Sequence, residues 1–310
     1  MKKSIFTGIE EFIELRRSFG FKFERGGYVL REFAAFLKKI KKKTITTAMV
    51  LEWLESHYGS SPESLSVRFQ IVRAFAAHWK AYDRRTEVPG RNISYHPPKR
   101  ARPHIYTPVE SRKILLACGT LSRRAGSRTK LHSPAFFTLL GLMMATGLRR
   151  RETVNLRRHH IDLEKGTLLV ELTKFRKSRL IPLHSSTVTK LAEYAAIRDR
   201  IVKKPTTDHF FLGDQGRAVS NDMIYYRFVR ICRAAGLREH VVGRGGPRRH
   251  DLRHTFAVRV ILRWLRQGKN IHEMMPILST YLGHDHPSDT YWYLTGVPEL
   301  LKFGLHKDQR

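Results

Sequence analysis

The chain has 310 residues, with 58 lysines and arginines against 27 aspartates and glutamates, a formal charge of +31 at pH 7. Hydrophobic residues at 41% and aromatics at 10% supply enough apolar mass for ordered cores, which excludes disorder as the main state, and the length suits two domains. A surface this basic selects polyanions, nucleic acid before anionic membrane.

The longest apolar stretch, residues 136–148, is broken by Thr and Gly and falls short of the ~20 residues that a membrane span needs. Glu10 and Glu11 interrupt the apolar start after Lys2-Lys3, so no secretory signal is expected. Cys118 and Cys232 offer neither a disulfide framework nor metal-ligand spacing. A cytoplasmic protein acting on nucleic acid is expected.

Residues 1–85 read as a small helical bundle. Ile9-Phe12-Ile13, Leu30-Phe33-Ala34-Leu37, Met49-Trp53 and Leu65-Phe69-Val72-Phe75-Trp79 repeat every three or four residues, the spacing of one helix face. Gly26-Gly27 and Gly59 to Pro62 are expected to separate the helices. The lysine run 38–43 lies on the outside, ordinarily a solvated helix end and, in the sharper reading, a phosphate contact through Lys41, Lys42 and Lys43. Residues 86–106 hold Pro89, Pro97-Pro98 and Pro103 among Arg91, Lys99, Arg100 and Arg102, which reads as an extended basic linker. Basic residues outnumber acidic ones 21 to 10 in 1–106 and 37 to 17 in 107–310. Two basic domains on a basic strap suggest a clamp around a duplex, with Lys99, Arg100 and Arg102 as backbone contacts.

Residues 107–310 change pattern. Residues 110–121 look helical. Ser133-Pro134 is expected to cap a helix over 135–146 that ends at Gly147. Strand-like pieces follow at 161–163, 167–172 and 180–183, a small antiparallel sheet. Helices are then expected over 187–202, 221–235, 254–266 and 274–282. The second domain is therefore α+β, mainly helical with a minor sheet.

Five groups within it attract attention, each with an ordinary explanation when taken alone. Arg149, just beyond Gly147, would commonly be a salt-bridge partner. Lys174, on the polar turn 173–178, would commonly face solvent. His250 and Arg253 lie three apart at a helix start, able to look out from one side. His284 and His286 form an HxH pair that lacks carboxylate or cysteine companions for a metal. Tyr291-Trp292-Tyr293 could be a packing cluster.

In this order the groups resemble the tyrosine recombinase (phage integrase) family. Thr146-Gly147-Leu148-Arg149 followed by Glu152 is similar to that family's first box, and Thr173-Lys174 ahead of 179–183 to its catalytic hairpin. His250-Asp251-Leu252-Arg253 resembles the second box, and Leu282-Gly283-His284 with Tyr293 nine residues later the last. Residues 1–106 match in style only, as a helical core-binding (SAM-like) domain and linker, and the ending looks closest to recombinases of insertion elements and transposons.

The resemblance implies a domain plan of 1–85 core-binding, 86–106 linker and 107–310 catalytic. It also implies site-specific cleavage and rejoining of double-stranded DNA through a 3′-phosphotyrosyl intermediate, without metal, ATP or other cofactor, by a homo-oligomer (a tetramer on paired sites) or with related recombinases. Tyr293 would be the nucleophile, with Tyr291 as alternative. Arg149 and Arg253 would hold the scissile phosphate. Lys174 would protonate the leaving 5′-oxygen, His250 would take the tyrosine proton, and His284 would orient the phosphate or support that transfer. Glu152 would steady the arginine or histidine network. Arg150 and Arg151 could share phosphate duty, and the short segment after Tyr293 leaves the assembly mode open. Two other readings stand beside it: a DNA-binding accessory protein of the same fold without essential cleavage, and a type IB topoisomerase-like relaxing enzyme.

Overall fold

A computed structural model describes residues 4–20, 22–57, 59–91, 103–124, 130–171, 178–238, 246–284, 286–296 and 300. They group into two compact units, one within residues 1–101 and the other within 102–310.

The first unit is all-helical: α1 Ile5–Ser18, α2 Glu24–Lys39, α3 Thr47–Glu55 and α4 Pro62–Trp79. Ser4, Thr46 and Ser61 cap α1, α3 and α4 by accepting a first-turn N–H, as short hydroxyl side chains do. The expected stripes form one core in which Phe12, Ile13, Leu30, Phe33, Trp53, Phe69, Phe75 and Trp79 are buried. Gly8 lets α1 and α4 meet, since a Cβ there would lie 2.0 Å from the Trp79 ring. The glycine pair behaves differently from expectation: Gly26 and Gly27 lie inside α2, and the break falls earlier, at Phe23 with φ +45°. Without a Cβ, Gly26 lets the Phe23 ring fold across the first turn, where a Cβ would come within 2.3 Å of it. Lys41, Lys42 and Lys43 are exposed just beyond α2.

The second unit holds α5 Pro108–Arg124, α6 His132–Thr146, α7 Arg150–Val154, β1 Ile161–Asp162, β2 Thr167–Val170, β3 Arg179–Pro182, α8 Ser185–Ile201, α9 Asn221–Ala234, α10 His250–Arg266, α11 Ile271–Leu282 and α12 Ser288–Gly296. The apolar α6 is central, packed by α5, α8 and α10, because a helix apolar on every side must be covered on every side. Ser133 does not cap it: its hydroxyl donates to the Cys118 carbonyl at 2.9 Å, and Leu131 stands at the N-cap. The strands form an antiparallel sheet in the order β1-β2-β3, with Leu168 opposite both Ile161 and Ile181 and Val170 opposite Arg179. Leu168, Val170 and Ile181 face the core, so alternation fixes the register at the base of the hairpin.

The segment entering this unit is tied to α10. The Tyr106 N–H donates to Thr255 Oγ1 at 2.9 Å, its phenol to the Arg248 carbonyl at 3.1 Å, and Arg259 Nη2 reaches the Tyr106 carbonyl at 2.9 Å. Tyr106 is buried, and that burial pushes its phenol well above the ordinary value. Among the described residues, no helix is long and apolar enough to cross a membrane.

Candidate active site

Gly147 ends α6 with φ +63°, a conformation that favours glycine. A Cβ there would also strike Phe256 at 2.5 Å. The turn places Arg149 as the residue before α7, where its extended backbone N–H donates to Glu152 Oε2 at 2.9 Å and Nη1 donates to Oε1 at 3.0 Å. The first-turn acid thus reaches back to the cap, as in a capping box. The Glu152 side chain, 8% exposed, is shared with Arg179 of β3, whose Nη1 and Nη2 reach it at 3.1 and 2.8 Å. Burial alone would raise the Glu152 carboxyl; the hydrogen bond and charge of Arg179, then Arg149, outweigh it and hold the group below its ordinary value.

The C-terminus of α11 supplies the other half of the frame. Gly283 has φ +66°, and its carbonyl accepts from Arg149 Nη2. The neighbouring carbonyls of Tyr281 and Leu282 accept from Arg179 Nε at 2.8 Å and Arg253 Nη2 at 2.7 Å. Arg253 Nη1 donates to the Gly147 carbonyl at 2.9 Å. Three guanidiniums therefore converge on two glycine-ended helices, whose last carbonyls are the natural seats for cations. Arg253 is 2% exposed. Burial, then the positive charge of Arg149, lower its guanidinium to about 10, leaving it charged at neutral pH. A cluster this positive, one carboxylate notwithstanding, is chemically suited to an anion.

Tyr293 is 2% exposed and stands beside this cluster. Its phenol lies 2.9 Å from His254 Nδ1, and its ring stacks on His284 with centroids 6.5 Å apart. His284 in turn bonds Thr290 through Nδ1 at 2.6 Å. The Tyr291 phenol instead donates to the His272 carbonyl on α11 at 3.4 Å. His250 packs edge-on to His254, centroids 4.6 Å apart, and keeps an exposed edge. Crowding by protein on its other sides, then Arg253, push its imidazole down to about 4.

Arg149, Glu152, His250, Arg253, His284 and Tyr293 are thus brought together from α7, α10 and the α11–α12 segment. Lys174, Lys99, Arg100 and Arg102 lie outside the described residues. Arg150 is half-buried and Arg151 exposed on α7. Sequence reasoning missed Arg179, which shares Glu152, and His254, which meets the phenol where His250 was expected to. The signals were present: Arg179 opens the strand after the hairpin turn, and His254 stands one helical turn beyond His250.

A second histidine cluster, His159, His160 and Glu171, brings its ligand atoms within 4.8 Å of one another. The Arg157 N–H donates to His160 Nδ1 at 3.1 Å, which leaves the ring proton on Nε2, 3.2 Å from a Glu171 oxygen. That tautomer presents no lone pair to a metal, so the trio is a histidine–carboxylate contact at the end of β2.

Residues 108–297 match the Phage integrase family. A protein of Sinorhizobium fredii named integrase/recombinase y4rB is 36% identical over 303 residues, covering 97% of this chain and 96% of that one. Tyrosine recombinase XerC of Thermodesulfovibrio yellowstonii is 24% identical over 270 residues, 85% of this chain and 82% of the relative. The solved Tn1549 transposon integrase in complex with transposon right end DNA superposes with a TM-score of 0.65 at 15% identity, over 99% of this chain and 100% of that one. The glycine-framed arginines, the buried phenol beside them and this full-length likeness lead to one conclusion: the chain belongs to the phage integrase family of tyrosine recombinases.

Proposed function

We propose that the protein is a site-specific recombinase of a mobile element, cutting and rejoining duplex DNA through a 3′-phosphotyrosyl link. The observation that carries this is the convergence of Arg149 and Arg253 on the carbonyls of Gly283, Leu282 and Gly147, with Tyr293 beside them. Two fixed guanidiniums stabilise charge growing on the non-bridging phosphate oxygens, the part a divalent cation plays in other phosphoryl transfers. The Tyr293 oxygen attacks phosphorus and the 5′-oxygen leaves, protonated by Lys174. His284, stacked on the nucleophile's ring, supports the phosphate, and the phenolic proton passes to the histidine pair of α10. The phosphotyrosyl bond keeps the energy of the diester, so another strand's 5′-hydroxyl reverses the step without ATP.

The domain plan follows: 1–85 binds the DNA core, 86–106 straps it, and 107–310 carries the chemistry, with Lys41, Lys42, Lys43, Lys99, Arg100 and Arg102 on phosphates. Solved relatives of the fold include a lambda integrase dimer bound to a COC′ core site and a lambda integrase tetramer bound to a Holliday junction. By analogy, two duplexes are paired by four copies of this chain.

The test is Tyr293→Phe on DNA trapped covalently from a randomised pool of nicked duplexes. The variant is expected to lose the covalent adduct entirely and to bind DNA as before, because one oxygen is removed from an intact scaffold. A normal adduct yield would move the nucleophile to Tyr291. No adduct from the unsubstituted protein would favour an accessory DNA-binding role.

A further inference from the structure

The contact that the family boxes do not account for is His254 on Tyr293. His254 is 6% exposed and Tyr293 2%, and the phenol oxygen lies 2.9 Å from Nδ1. A nucleophile within hydrogen-bond reach of an imidazole, itself held by a further group, is the general arrangement of an activated nucleophile. Here the holding group is His250, packed edge-on against the His254 ring, with Trp292 on another side at 5.9 Å.

We propose that His254, rather than His250, accepts the proton of Tyr293 during DNA cleavage. This rests on the cleavage reading given above. With the ring proton on Nε2, the Nδ1 lone pair receives the phenolic hydrogen. The Tyr293 O–H bond breaks as its oxygen bonds to phosphorus, the P–O5′ bond breaks, and His254 becomes an imidazolium until rejoining returns the proton to the tyrosine. His250 is the poorer acceptor on two counts: it stands one turn before His254, whose Nδ1 the phenol meets, and its surroundings hold it at about 4. Among the described residues, the charged and titratable groups around the pair include His250 and Arg253 from α10, His284 from the α11–α12 segment, and Arg149 beyond Arg253. The phosphate that would offset these cations arrives only with DNA, so the transfer is favoured only on the loaded enzyme.

The test follows adduct formation by the full chain under single-turnover conditions on the DNA recovered from the nicked pool. It runs between about pH 5 and 9, the span over which imidazoles titrate. His254→Gln, His254→Asn and His250→Gln are compared with the unsubstituted protein, and DNA affinity is measured beside them. The unsubstituted rate should rise with pH and level off once His254 is neutral. Both His254 variants should keep DNA affinity, lose about 100-fold in rate at pH 7, and rise with pH throughout without levelling off. His250→Gln should retain the plateau. Added imidazoles should rescue His254→Gly in order of their basicity, which filling a cavity would not produce. A plateau kept in both His254 variants, a faster rate in either, or a plateau lost in His250→Gln overturns the assignment. A reading that needs no variant of His254 is the ¹³Cζ resonance of Tyr293, identified with Tyr293→Phe: it should shift with a histidine titration in the free protein, and a flat response overturns the pairing. Failure of the unsubstituted protein to trap any DNA is a different result, which defeats the cleavage reading itself.

Discussion

Glu152 offers the sharpest test of how the arginine frame is held. Its two oxygens take four hydrogen bonds, from the Arg149 N–H and Nη1 and from two nitrogens of Arg179. Side-chain exposure is 8% for Glu152, 13% for Arg179 and 31% for Arg149. Removing one partner of a buried ion pair costs about 3–5 kcal/mol. Solvent screens the Arg149 half more than the Arg179 half, so Glu152→Ala should lose about 3 kcal/mol, near the lower end. Glu152→Gln keeps the shape and one acceptor but not the charge, and should lose about 2 kcal/mol, the size of a charge-assisted bond. The sign with pH follows from the carboxyl lying below its ordinary 4.5 when folded. Its stabilisation is complete above that unfolded value and is lost as pH falls through the lower folded one. The gap between the unsubstituted protein and Glu152→Gln should therefore be constant near neutrality and close in acid. Urea unfolding read by hydrogen exchange on peptides of the second unit measures both, free of melting in the first unit. A loss below about 1 kcal/mol for Glu152→Ala, or a gap to Glu152→Gln that does not close in acid, would refute the reasoning.

Two further outcomes are expected. Gly8→Ala should destabilise the first unit by about 1–2 kcal/mol despite alanine's better helix propensity, because the new methyl meets the Trp79 ring; a higher melting temperature would contradict this. Lys174→Ala should be severely slow on ordinary DNA yet recover on a substrate whose bridging 5′-oxygen is sulfur, since a thiolate leaves without an acid. Equal losses on both substrates would pass the acid's role to Lys177 or Arg176.

Much of this was legible in the chain. The stripes through Phe12, Phe33, Phe69 and Trp79 announced the first core because burial repeats with the helical period. Gly147, Arg149, Arg253, His284 and Tyr293 stood out as a group only through their resemblance to the boxes of the tyrosine recombinase family, since each has an ordinary explanation when taken alone. What stayed hidden depended on tertiary contact. Gly26 reads as a breaker until the Phe23 ring is seen to fill its missing Cβ. Ser133 reads as a cap until its hydroxyl is seen to turn to the Cys118 carbonyl. His250 and His254 share one face of α10, and only the approach of α12 decides which of them the phenol meets. Arg179 marks itself only as the first residue of a strand, and the folded chain alone shows that Glu152, 27 residues earlier, is its partner.

The mooring of Tyr106 has a mechanical consequence. Its N–H, carbonyl and phenol are all fastened to α10 or the residues just ahead of it, the helix that carries His250, Arg253 and His254. A segment ending in a slack loop would absorb a displacement before it reached that helix. Here no spare length lies between residue 106 and that helix, so a displacement of residue 106 turns directly into a twist of the helix and of the three side chains it carries.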